Sequence, residues 1–251
     1  MYAKKSLGQN FLMHARIAER IADTALLTPD DTVLEIGPGT GMLTRPLLAR
    51  AKKVIAVEAD HTLVATLQET FAHEMGEGRL ELVYGDVRAF STASIGVPYA
   101  VVANIPYYLT SYLLRLLLTA KQKPTTIALT LQKEVAERAC AKAPHANLLA
   151  LSIQAYGTPR LVKVVPADCF LPKPNVDSAI LLISDISDTF FKEHHIKERD
   201  FFTLLRKAFG QKRKTLANNL TPMSDKENTK NLLKKLQLPP DVRPEAVPLQ
   251  A

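Results

Sequence analysis

A chain of 251 residues with 47% apolar and 23% charged side chains has the composition of a soluble globular protein, long enough for one large domain or a large and a small one. No apolar run approaches the ~18 residues of a membrane span. The opening Met1-Tyr2-Ala3-Lys4-Lys5 lacks a signal peptide's apolar region, and Cys140 and Cys169 supply neither a disulfide framework nor metal-ligand spacing. The expectation is a reduced, cytoplasmic protein with no membrane and no metal. Its net charge of +7 favours a polyanionic partner.

In chain order, residues 4–14 are too polar and irregular for a core strand. Ile17, Ile21 and Ala25 mark a helix over 15–27, stopped at Thr28-Pro29-Asp30. Val33–Ile36 reads as a buried strand, cut off by glycines, with helix-forming residues resuming from Met42 to Ala51. Strands follow at 54–58, 80–86, 100–103 and 126–131, separated by helices at about 60–75 and 111–120, with a further helix from Lys133. This alternation predicts an α/β fold with a parallel sheet covered on both faces. Tighter spacing between Leu148 and Ser184 predicts strands near 150–156, 162–165 and 179–183, an antiparallel close to the sheet. Beyond that point the pattern turns helical and more basic. Residues 1–184 carry 19 basic and 16 acidic side chains, and 185–251 carry 13 and 9. The predicted division is a domain over 1–186 and a small α-helical domain over 187–251.

The stretch Glu35-Ile36-Gly37-Pro38-Gly39-Thr40-Gly41 joins a strand to a helix start. Glycine turns tightly and lets a ligand approach the backbone, and the helix end offers unpaired N–H groups. A dinucleotide fingerprint fits poorly, because its third glycine comes one residue early and Met42 stands where a small residue is needed. Glu35 would also repel a pyrophosphate, whereas it suits a cationic amino group. The pattern resembles motif I of the S-adenosylmethionine (SAM) methyltransferases. Glu58, 17 residues after Gly41, is placed to accept from both hydroxyls of a ribose. Asp86 is placed to accept from an adenine amino group, with the Val87 N–H facing a ring nitrogen. Three acids at successive strand ends are hard to read as unrelated loop carboxylates.

Asn104-Ile105-Pro106-Tyr107 is the sharper signal. An exocyclic amino group is a poor nucleophile because its lone pair is delocalised into the ring. Catalysis needs acceptors that hold its hydrogens and aim the lone pair at an electrophile. The Asn104 side-chain oxygen and the Ile105 carbonyl can do this, while Tyr107 stacks on an extruded base. Arg206, Lys207, Lys212, Arg213 and Lys214 place five cations in nine residues, a pattern suited to RNA phosphates.

Asn104–Tyr107 resembles the [N/D]-x-P-[Y/F] motif of amino methyltransferases, and three further segments narrow the resemblance. Lys5-Ser6-Leu7-Gly8-Gln9-Asn10-Phe11-Leu12 resembles the N-terminal motif of the ribosomal RNA adenine dimethyltransferases, the KsgA family. Phe170–Ser178 matches that family's F-x-P-x-P-x-V-x-S loop, and Phe209–Leu220 looks like its basic C-terminal signature. The resemblance spans roughly residues 4–245. It implies a Rossmann-like class I methyltransferase sheet with a small α-helical C-terminal domain that binds RNA. It implies SAM as cofactor, held by Gln9, Asn10, Leu12, Gly37, Gly39, Glu58, Asp86 and Asn104, with Phe170 stacking on the adenine opposite Tyr107. The implied reaction is dimethylation of two adjacent adenosines near the 3′ end of small-subunit rRNA. The implied partner is the immature small subunit; nothing in the sequence suggests an obligate dimer, and a monomer is expected.

The chain departs from the family at Tyr108, where Asn is usual, and at Ala146–Ala150, where Y-G-R-L-S is frequent. It also stops soon after Arg243-Pro244-Glu245, where relatives commonly continue into a final helix. The macrolide-resistance methylases of large-subunit rRNA share the N-I-P-Y and F-x-P-x-P-x-V segments. Ser6–Phe11 and Lys212–Leu220 favour the small-subunit enzyme. A DNA adenine methyltransferase would need a target-recognition domain that is not evident. A ribosome-assembly factor is the reading from outside enzymology.

Overall fold

The computed structural model describes Lys4 and residues 7–249; Lys5 and Ser6, which open the N-terminal motif, lie outside the described residues. The strands are β1 (Phe11–Leu12), β2 (Thr32–Ile36), β3 (Lys53–Glu58), β4 (Leu80–Tyr84), β5 (Tyr99–Asn104), β6 (Thr126–Gln132), β7 (Thr158–Val165), β8 (Phe170–Leu171) and β9 (Ser178–Ser184). Helices α1 (Ala15–Thr24), α2 (Thr44–Leu48), α3 (His61–Thr70), α4 (Ala72–Gly76) and α5 (Thr110–Leu118) fall between the first strands. After β6 come α6 (Lys133–Ala139) and α7 (Leu148–Gln154). After β9 come α8 (Thr189–Glu193), α9 (Glu198–Ala208), α10 (Leu216–Leu220) and α11 (Lys226–Lys235).

Seven strands form one sheet in the order β4-β3-β2-β5-β6-β9-β7. The first five are parallel, while β9 runs antiparallel to both β6 and β7. All of β2 and residues Tyr99–Ala103 of β5 are buried, so both faces of the central strands are covered. β3 and β5 flank β2 on opposite sides, so connections leave it in both directions and open a crevice beyond its carboxyl end. Residues 37, 58, 86 and 104 fall at that end. β1 and β8 make a separate two-stranded ribbon, pairing Phe11 with Leu171 and Leu12 with Phe170.

Two expectations about single elements need correction. The helix predicted over 60–75 breaks at Phe71, which leaves helical geometry and is 1% exposed. The strand predicted near 150–156 is α7. Asn147 caps it by accepting from the Ala150 N–H at 3.1 Å, and Ala150, Leu151 and Ile153 form its buried side.

The chain divides into two units. One comprises residues 1–136 and 158–186 and holds the sheet; the other comprises 137–157 and 187–251 and is helical. The sequence placed 137–157 with the sheet, but Leu151 of α7 packs in a cluster with Ala146 and Leu205. Tyr156, Phe190, Phe191, Phe201 and Phe202 pack ring against ring in the same unit. A second small core, Ala217, Leu233 and Val242, joins α10 to α11.

Candidate active site

The glycine turn leaves β2 with the Gly37 N–H donating to the Val57 carbonyl at 2.9 Å. Gly37, Gly39 and Gly41 all have positive φ, which glycine adopts without strain. They differ in what surrounds them. A Cβ on Gly41 would lie 2.5 Å from the Phe71 ring, so this glycine serves packing. A Cβ on Gly37 would meet nothing within 4 Å and would project into open space on the wall of a cleft.

Glu58, at the end of β3, is 5% exposed. Its Oε2 accepts from the Gly39 N–H at 3.0 Å and its Oε1 from the Asp60 N–H at 2.9 Å. Burial raises its pKa, against the lowering effect of these backbone donors. Glu58 thus ties the glycine turn to the start of α3 while facing the cleft, with lone pairs left for a ligand. Asp86 also lines the cleft, followed by the buried Val87. Its carboxylate is gripped by Arg88, whose Nε lies 2.9 Å and Nη2 2.5 Å from Oδ2; this partner lowers the Asp86 pKa.

Glu35 departs from expectation. It is 1% exposed, does not line the cleft, and neither carboxylate oxygen makes a hydrogen bond. Burial raises its pKa to about 8, with Glu58 adding to the effect. The neighbouring Thr44 hydroxyl opposes it without reaching hydrogen-bond geometry. A neutral carboxyl sealed under the turn is not a direct partner for an ammonium group. The reason is position: Glu35 is inside β2 and its side chain enters the packed layer, while the cleft opens from Ile36 onward.

On the other side of the cleft, Asn104 ends β5, and its Nδ2 donates to the Asn10 carbonyl at 3.1 Å. Only the nitrogen of an amide can donate to a carbonyl, so this contact fixes which way round the side chain sits and leaves Oδ1 as an acceptor. Ile105 and Tyr107 line the same wall. The Tyr107 hydroxyl is anchored 2.8 Å from Oγ of the fully buried Ser178, and burial raises its pKa. Phe170, 4% exposed, reaches the cleft from β8. Gln9, Asn10 and Leu12 complete the wall from the N-terminal segment. The cleft therefore brings together every predicted cofactor and catalytic residue except Glu35. Arg88 and Asp60 have no place in the sequence reading, although Asp60-x-Thr62 is a recognisable helix-capping signal. Tyr108 stands exposed at the cleft with its ring against Gly8.

The family described as "Ribosomal RNA adenine dimethylase" matches residues 1–247. The chain belongs to the ribosomal RNA adenine dimethylases. It is 47% identical over 221 residues to "Ribosomal RNA small subunit methyltransferase A" of Dehalococcoides mccartyi (strain ATCC BAA-2100 / JCM 16839 / KCTC 5957 / BAV1), covering 87% of this chain and 74% of that one. It is 37% identical to the Geobacillus kaustophilus protein of the same name, covering 97% and 86%. Among solved structures, a dimethyladenosine transferase from Plasmodium falciparum superposes with a TM-score of 0.81 at 26% identity, covering 96% of this chain and 94% of that one. The 23S rRNA methyltransferase ErmE superposes at 0.78 and 26%, covering 96% of each.

The dimethylase is a SAM-dependent methyltransferase. Its cleft fits that cofactor: the Gly37 wall is open where a Cβ would intrude, and carboxylates at the ends of β3 and β4 face the space beside it. In the helical unit of the dimethylase, Arg206, Lys207, Lys212, Arg213 and Lys214 are all exposed. Arg206, Lys207 and Lys214 line one groove, joined by Lys226, which the sequence did not single out; Lys212 and Arg213 do not line it. Asn219 holds the turn beneath, donating from Nδ2 to the Ala208 carbonyl at 2.7 Å and the Gln211 carbonyl at 3.1 Å.

Proposed function

We propose that this dimethylase transfers methyl groups to the N6 nitrogens of two adjacent adenosines near the 3′ end of small-subunit rRNA. The single observation that carries the reading is the Asn104 amide, oriented by the Asn10 carbonyl so that Oδ1 is left to accept. The curated relatives at 37–47% identity bear the small-subunit name, whereas the large-subunit enzyme ErmE is 26% identical. The name those relatives share favours the small subunit over the large.

SAM supplies a methyl group on a cationic sulfur. Gln9, Asn10, Leu12, Gly37, Gly39, Glu58, Asp86 and Val87, which line one cleft, would hold it, with Glu58 placed to accept from the ribose hydroxyls and Asp86 from the adenine amino group. Asn104 Oδ1 and the Ile105 carbonyl accept the two N6–H hydrogens of the target, directing the nitrogen lone pair at the methyl carbon. Tyr107 and Phe170 sandwich the flipped base, Tyr107 held at its far end by Ser178. The N6 proton leaves to water after attack. One N–H remains after the first transfer, so one acceptor suffices for the second.

Arg206, Lys207 and Lys214 contact rRNA phosphates along the groove and position the substrate, with Lys212 and Arg213 adding a weaker contact from outside it. The enzyme works as a cytoplasmic monomer on the immature small subunit and takes part in its maturation.

The test is transfer of labelled methyl to undermethylated small subunits, large subunits and DNA, with the product base identified by mass spectrometry. Dimethyladenosine confined to small-subunit rRNA is expected; label in large-subunit rRNA overturns the substrate assignment. Asn104→Ala should cut transfer by about 10²–10³-fold while small-subunit binding survives. Full-rate transfer by this variant would remove Asn104 from the chemistry.

A further inference from the structure

We infer that Asp60 is a positioning residue for methyl transfer: it fastens the N-terminal segment, and that segment holds the Asn104 amide. The inference rests on the proposed reaction and deepens it.

Asp60 is 3% exposed and caps α3, its Oδ1 accepting from the Thr62 N–H at 3.0 Å and the Thr62 hydroxyl at 2.7 Å. Capping does not account for its other contacts. Lys4 Nζ lies 2.7 Å from Oδ1, and Gln9 Nε2 donates to Oδ2 at 3.2 Å. The Lys4 N–H donates in turn to Gln9 Oε1 at 2.8 Å, closing a ring of three residues. Burial works to raise the Asp60 pKa, but the Lys4, Thr62 and Gln9 contacts outweigh it and hold the carboxyl well below the usual range.

From this anchor the segment runs directly across the cleft. Asn10 gives its carbonyl to Asn104 at 3.1 Å. The Phe11 ring stands 3.2 Å from where a Cβ on Gly39 would be. Leu12 pairs with Phe170, and the Met13 N–H donates to the Cys169 carbonyl at 2.9 Å. The segment therefore touches the glycine turn, the catalytic amide and the strand bearing Phe170 in succession. At its far end it is held by the buried Leu12, by a ribbon only two residues long on each strand and by the Met13 amide, all of which lie beyond Asn10 and leave its carbonyl fixed from one side only. The near end is held by Asp60. Releasing it leaves Asn10 free to drift, and with it the direction in which Asn104 presents its oxygen.

Asp60→Asn separates this role from capping, because Asn caps a helix as well as Asp does while losing the charge opposite Lys4. Lys4→Met cuts the same link from a half-exposed side chain. Each variant should lower kcat for methyl transfer to undermethylated small subunits by about tenfold, since small displacements of a catalytic group cost that much or more. KM for the subunit should stay at the wild-type value, while Tm should fall in Asp60→Asn, which loses the ionised carboxylate that Lys4, Thr62 and Gln9 favour, and by less in Lys4→Met. The double variant should be no slower than either single one, and Lys4→Arg should restore the rate. Wild-type kcat in both single variants, multiplicative losses in the double variant, or a loss confined to KM would overturn the inference. Hydrogen exchange at the Met13 amide gives a readout independent of substrate. It should quicken in Asp60→Asn, and an unchanged rate would also overturn the latch. If the wild type methylates no small-subunit RNA, the reaction assignment fails while the exchange result still decides the latch.

Discussion

Glu35 and Glu58 lie on neighbouring strands, and their surroundings separate them. Glu58 receives backbone N–H groups on both oxygens, whereas Glu35 receives none. Between pH 4.5 and 8 the folded chain keeps on Glu35 a proton that the unfolded chain gives up. The stability linked to this group is complete below pH 4.5 and is lost as pH rises toward 8, at up to about 1.4 kcal/mol per pH unit. Glu35→Gln, which mimics the protonated acid, should remove that decline. Its Tm should gain on wild type through this window, with the widest gap at pH 8 and above; parallel Tm–pH curves would show Glu35 ionised in the fold. The sequence placed acids correctly near strand ends, because spacing along a strand is legible in one chain. It could not distinguish an acid inside the last turn of a strand from one just beyond it, because that depends on which layer covers the residue.

The glycine turn makes the same point for an element. Three glycines at alternate positions look equivalent in sequence, but Gly41 faces Phe71 and Gly37 faces the cleft. Gly41→Ala should cost about 2–4 kcal/mol, from left-handed strain plus overpacking, and show as a lower midpoint in denaturant. Gly37→Ala carries the strain alone, so its larger effect should be on SAM affinity, measured by calorimetry. Equal stability losses with unchanged SAM binding would contradict this division. Helix α7 shows where local pattern fails. Leu148-Leu149-Ala150-Leu151-Ser152-Ile153 is a short apolar run that periodicity cannot assign to strand or helix. The deciding residue is Asn147, which caps the helix and also donates from Nδ2 to the Arg138 carbonyl at 2.8 Å. Asn147→Ala should destabilise the helical unit by about 0.5–2 kcal/mol, read from amide exchange along α7.

For the whole molecule, the parallel sheet and its antiparallel edge were legible because strand–helix alternation and connection length constrain topology strongly. The basic groove was legible only in part, since Lys226 lies outside the cation run that the sequence exposes. Lys207→Ala/Lys214→Ala should weaken small-subunit binding and flatten its log–log salt dependence by about one unit per cation. Lys212→Ala/Arg213→Ala, outside the groove, should change the slope less; equal slopes for the two pairs would dissolve the groove as a phosphate track.

The chain passes between its two units at residues 136/137, 157/158 and 186/187. During synthesis, α7 emerges about fifty residues before its packing partner Leu205 in α9, and β7 and β9 cannot complete the sheet until that excursion is over. Neither unit is a contiguous gene segment. A fragment ending at residue 186 carries Leu151 and Ile153 without the helices that bury the first of them, so it should aggregate where the full chain remains dispersed. Modular exchange of the helical unit between relatives would need two grafts, at 137–157 and from 187 onward, made together.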